Sequence, residues 1–135
     1  MIGQHPIFGT GPDTYKWSFM QFYDEWVAVS GRETFYDYAH NDYLQMAVNT
    51  GIPSLICYLG FVISLCVRAI KRLKYNPLIA IFGLGILAYS VHVFFSFSIP
   101  HLAPLFWLSC GILDNLIRRT NTEGPNLLDP AVVTE

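Results

Sequence analysis

His40–Asn41, within FYDYAHNDYLQMAVNTGIPS (residues 35–54), is the pair of side chains best suited to do chemistry in this chain. Histidine as a residue type titrates near pH ~6.5, so its neutral imidazole can take a proton from an attacking hydroxyl at neutral pH. A surface histidine hydrogen-bonded to a neighbour satisfies the same spacing, and periodicity alone leaves both readings open. The positions three, four, seven and eight after His40 are Tyr43, Leu44, Ala47 and Val48. That pattern predicts a helix resuming near Phe35, with an apolar stripe that carries His40 on its own face. Gly51 and Pro53 then punctuate the approach to a long apolar run.

Four further features invite a functional reading. Gly9, Gly11 and Pro12, in GTGP, have the look of a phosphate loop, but no Gly-Lys-Ser/Thr follows, so a tight turn is expected. His92 lies in YSVHVFFSFSIP, an ionisable group inside an apolar segment, with Ser90 and Ser96 as candidate partners for a proton relay or a structural hydrogen bond. The aromatics Trp17, Phe19, Phe22, Tyr23 and Trp26 recur at spacings of three and four, which predicts one amphipathic helix over 15–29 at a membrane interface. Cys57, Cys66 and Cys110 are widely spaced in apolar segments, a pattern for small buried hydrophobes rather than a metal site or disulfide framework.

The composition decides what must position these groups. Of 135 residues, 53% are hydrophobic, 16% aromatic and only 13% charged, where soluble domains carry about 25% charged residues. Mean hydropathy is +0.37. Charges cluster between long uncharged runs, which defines an all-α integral membrane protein. Three spans are expected, at about 52–70, 77–99 and 102–117. They are preceded by a helical loop over 1–51 and followed by a disordered tail over 118–135. The third is short, about 24 Å at ~1.5 Å per residue, and carries Asp114. Arg68, Lys71, Arg72 and Lys74 form one basic cluster and Arg118–Arg119 a second, both on the same side of such a bundle. By the positive-inside rule that side is cytoplasmic, so the N-terminal loop and His40 face the periplasm or exterior. No basic stripe suits nucleic acid, and the polar N-terminus lacks the apolar core of a signal peptide.

The combination resembles the O-antigen ligase/polymerase family of bacterial inner-membrane proteins, in its C-terminal portion. His40–Asn41, nine residues, and then GIPS (Gly51–Ser54) is similar to that family's loop motif, with Ser54 where ligases prefer Gly, Thr or Tyr. HPIFGTGPDTY (5–15) resembles the segment opening the same loop. HVFFSFSIP (92–100) resembles the penultimate-helix motif, with Ser96 where an acidic residue is frequent. The resemblance implies a GT-C-like helical fold and transfer of a glycan from an undecaprenyl-diphosphate carrier to a hydroxyl of a glycan, lipid or protein acceptor, without metal or cofactor. His40 would be the base, with Asn41 beside it as a substrate contact. A diphosphate leaving group calls for cationic stabilisation, and the N-terminal half offers only Lys16 and Arg32. Arg32 is a candidate substrate contact only as a stand-in for arginines that would clamp the diphosphate, and a solvated loop charge is the more ordinary reading. The expectation is therefore that the chain is part of a transferase whose other helices supply further arginines, and that it is inactive alone. The competing expectation is a small non-enzymatic membrane protein, an interaction subunit or a transporter fragment using His92.

Overall fold

Residues 1–96 and 98–122 are described by a computed structural model of the chain, and their regular structure is entirely helical. After a 3-10 turn at Ile2–Gln4 come α1 (Tyr15–Met20), α2 (Tyr23–Ser30), α3 (Asp42–Thr50), α4 (Ile52–Ile70), α5 (Pro77–Phe95) and α6 (Ala103–Thr122). They fall into two compact units, one holding Met1–Leu59 with residues 93–96, the other Gly60–His92 with residues 98–122.

The first unit is built around Phe19, which is buried. Its ring meets Tyr15, Tyr23, Trp26, Phe35 and Tyr36, with centroids 5.7 to 6.4 Å apart and mostly edge-to-face. Such pairs add about 0.5–1.5 kcal/mol each beyond the area they bury. The single helix expected over 15–29 is instead two. Phe22 takes φ −113° and ψ 9°, outside the helical well, and its N–H donates to Phe19 O at 2.9 Å in a tighter turn. The bend lets Tyr23 and Trp26 close on Phe19, a tertiary contact that outweighs local helix continuity. α2 ends at Gly31, whose left-handed φ of 65° suits glycine.

A second expectation is also corrected. No helix resumes at Phe35; residues 31–41 are irregular and α3 begins at Asp42. The cause is Asn41, whose side chain accepts from Leu44 N at 3.0 Å and so fixes the N-terminus there. His40 therefore lies outside the helix rather than on its stripe. Ala47 and Val48 are buried as expected, but Leu44 is exposed and Gln45 is buried in its stead.

The second unit holds most of α4 and α5. Both helices are 19 residues long and apolar enough to cross a bilayer. Leu65 and Ala69 of α4 and Ile79 and Ile86 of α5 are buried, while Ile63, Val67, Ile81, Leu84, Leu87 and Val91 are exposed. α5 is apolar on all sides, the property of a helix surrounded by lipid or other protein. Asn76 starts it, accepting Leu78 N at 2.9 Å, with Pro77 at the first helical position where its missing N–H has no cost. α5 stops at Phe95, short of the 99 expected.

α6 runs five residues past the expected end of the third span and includes Arg118 and Arg119. Asp114 explains the continuation: its carboxylate accepts from Arg118 Nε one turn on, at 2.7 Å, and from Arg68 Nη1 of α4, at 2.5 Å. The start of the tail is therefore helical, and the disorder expected for 123–135 concerns residues outside those described.

Candidate functional site

In the first unit, the three motifs singled out from the sequence meet. α3 is short, and an isolated helix of nine residues would be marginal in water. Both of its ends are held by chain segments remote in sequence.

Its C-terminus is capped by the glycine loop. Thr10 N donates to Val48 O at 2.8 Å and Gly11 N to Asn49 O at 2.9 Å, while Thr10 Oγ1 also reaches Val48 O. These carbonyls are among the last four of the helix and lack an intrahelical partner, so the loop supplies what the helix end needs. Ile52 N donates back to Pro6 O at 2.8 Å. Backbone lies on backbone here. A Cβ on Gly9 would stand 2.6 Å from Thr50 N and still closer to Asn49 C, and one on Gly51 would collide with Ile7 O. Gly51 also holds φ 88° and ψ 168°, a conformation kept almost wholly for glycine. The turn expected for GTGP is thus present, and its N–H groups at Thr10 and Gly11 are spent on helix carbonyls. Pro12 is exposed beyond it. Thr14 Oγ1 closes the loop on Gly11 O at 2.6 Å.

The N-terminus of α3 carries the His–Asn pair. Ala39 N donates to the buried Gln45 Oε1 at 2.9 Å, and Asn41 caps Leu44, so backbone anchors flank His40 on both sides. Its ring is exposed and meets Tyr36 edge-on, centroids 6.2 Å apart. Tyr36 packs on Trp26 at 5.6 Å and on Phe19, which ties the imidazole to the aromatic core. Gln45 is the residue that the periodicity missed: an amide inside an apolar stripe, ahead of which lies a backbone N–H needing an acceptor. Trp26 Nε1 is buried with no hydrogen-bond partner among the described residues.

The third motif touches the same helix end. Asp42 N donates to Ser96 O at 3.1 Å, and the Tyr43 ring lies 6.2 Å from Phe94 and 6.0 Å from Tyr58. His92 is exposed on α5, in the other unit. The Ser90 hydroxyl donates to Ile86 O at 2.8 Å, a turn back on its own helix. Arg32 follows α2 in an exposed loop, where its backbone N–H donates to Ser30 Oγ; its guanidinium forms no ion pair among the described residues. Lys16 lies over the Phe35 ring, 5.6 Å from its centroid. No group of three or more His, Cys, Asp or Glu side chains suited to a metal ion occurs among the described residues.

A helical chain with two apolar helices long enough to cross a bilayer, and a loop that presents a histidine at a capped helix start, is consistent with a helical membrane protein. Residues 1–59 match the family model described as O-antigen ligase, which bears out the resemblance at the glycine loop and the His–Asn motif; the segment 92–100 lies outside the match. Neither a curated protein nor a solved structure matches the chain. The matched segment coincides with the first unit except for residues 93–96, so it contains the glycine loop, the His–Asn pair and the cap that joins them.

Proposed function

We propose that this chain carries the histidine-bearing loop of a bacterial inner-membrane transferase, which moves a glycan from an undecaprenyl-diphosphate carrier to a hydroxyl acceptor. The observation that carries the reading is His40 itself. It is a solvent-exposed imidazole held by anchors on either side, at the start of a helix whose far end is locked by the family's own glycine loop.

In this reading His40 takes the proton from the acceptor hydroxyl as its oxygen attacks the sugar carbon, and the carrier leaves as the diphosphate. Proton transfer by a positioned imidazole contributes typically 10²- to 10⁴-fold. Asn41 keeps its place at the site by capping α3, so a substrate contact from it would use the amide N–H₂ rather than the oxygen already given to Leu44. The cationic partner of the leaving diphosphate is assigned to Arg32 and to arginines of further helices in the whole transferase. The basic clusters at 68–74 and 118–119 support a cytoplasmic side for the α4–α5 loop and the C-terminus, and a periplasmic one for the loop bearing His40.

The test is glycan transfer by the intact enzyme carrying His40→Ala, with membrane insertion checked by the same preparation's detergent-extracted yield. A fall of 10² or more in turnover is expected at normal yield. Transfer within twofold of the native rate would remove His40 from the chemistry.

A further inference from the structure

In the second unit an apolar groove of about 270 Å³ runs between α4 and α5, lined by Cys66, Ala69, Leu73, Ala80, Gly83 and Leu87 among others. Small side chains make it. At its floor a Cβ on Gly83 would stand 3.9 Å from Ala69 Cβ, an ordinary contact, so the helices approach closely there and leave space above.

The groove runs into the loop that joins the two helices, because Leu73 belongs to both. That loop is uniformly basic. Arg72 and Lys74 both sit over the Tyr75 ring, 5.5 and 4.9 Å from its centroid, which gathers the two cations around one aromatic ring. Lys71 is exposed beside them. Arg68, one turn back, is committed to Asp114, but Lys71, Arg72 and Lys74 form no ion pair among the described residues. An apolar slot that runs into a loop whose three cations form no ion pair among the described residues complements a molecule with an apolar tail and an anionic head.

We infer that this groove binds one anionic phospholipid of the surrounding leaflet, with an acyl chain along α4 and α5 and the phosphate at Lys71, Arg72 and Lys74. The inference rests on α4 and α5 lying in a bilayer. The headgroup term is charge-based and the acyl term is packing-based, so the two can be separated. Zwitterionic lipid would fill the same slot and carries the same phosphate, but its choline cation is repelled by the loop and offsets most of the attraction.

The experiment uses the full chain purified in mild detergent. It is mixed with equal amounts of palmitoyl-oleoyl phosphatidylglycerol and phosphatidylcholine, and the retained lipids are counted by native mass spectrometry. One phosphatidylglycerol per chain is expected, preferred by roughly tenfold or more. Lys71→Gln with Lys74→Gln should abolish that preference and leave lipid bound. Gly83→Leu, which fills the slot, should lose the bound lipid of either kind. Equal retention of the two lipids by the native chain would overturn the inference, as would a Gly83→Leu chain that keeps its phosphatidylglycerol. A chain that stays monodisperse without detergent would instead refute the bilayer reading beneath it.

Discussion

Gly51→Ala should break the lock between the glycine loop and α3. The added Cβ would meet Ile7 O and Ile7 C of the opposing backbone, neither of which can swing aside as a side-chain end would. It would also force alanine into φ 88° and ψ 168°, which costs about 1–3 kcal/mol by itself. Relief by moving the loop away gives up Ile52 N to Pro6 O, about 1 kcal/mol. The total is about 2–4 kcal/mol, enough to raise the opened fraction of the first unit roughly 30-fold or more. Gly31→Ala is the control. Its φ of 65° carries strain of about 1–2 kcal/mol, but nothing lies within 4 Å of the new Cβ. In a Trp107→Phe background, Trp17 and Trp26 report on the first unit alone. The assay is tryptophan fluorescence against rising denaturant, alongside the rate of tryptic cleavage after Lys16, within α1. Gly51→Ala should unfold earlier and be cut faster than Gly31→Ala. The Gly9→Ala, Gly51→Ala double variant should add little to either alone, since both break the same contact. Equal behaviour of Gly51→Ala and Gly31→Ala would refute the interlock as the source of the glycine requirement.

Two further outcomes follow from the same geometry. Asn41→Ala should cost about 0.5–2 kcal/mol in first-unit stability by the same fluorescence readout, and Asn41→Asp, which can still accept from Leu44 N, should recover most of it. If transfer follows the cap in this series, Asn41 acts through the helix; loss of transfer in Asn41→Asp at full stability would make it a substrate contact. Arg68→Gln should cost no more than about 1 kcal/mol in the thermal midpoint followed at Trp107, because the pair it forms with Asp114 is partly exposed and Arg118 still holds the carboxylate. A loss beyond about 3 kcal/mol would mean that the pair is far drier than its exposure indicates.

Much of this chain was legible in its residues. The extent of α4, the start of α5 and the apolarity of both, set against few and clustered charges, follow from the bilayer's need for about 20 apolar residues per crossing. The turn at Gly9–Pro12, the importance of Gly51 and the His40–Asn41 pair could be picked out from residue type and spacing. What periodicity could not give was where helices start and stop in the first unit. A stripe at three and four predicts a face, but Asn41 accepting Leu44 N decides that the helix begins after His40, and Phe19 decides that α1 and α2 part.

The sequence alone determined local quantities: hydrophobic length, charge asymmetry and turn residues, all of which depend on neighbours within a few positions. The tertiary structure decided which distant segments serve one helix. Thr10 and Gly11 answer the open carbonyls at one end of α3, and Ser96 accepts the N–H of Asp42 at the other. Each pairing spans nearly 40 residues or more, and hydrogen-bond complementarity between backbone groups leaves no imprint on side-chain periodicity beyond the two glycines that allow the backbones to touch.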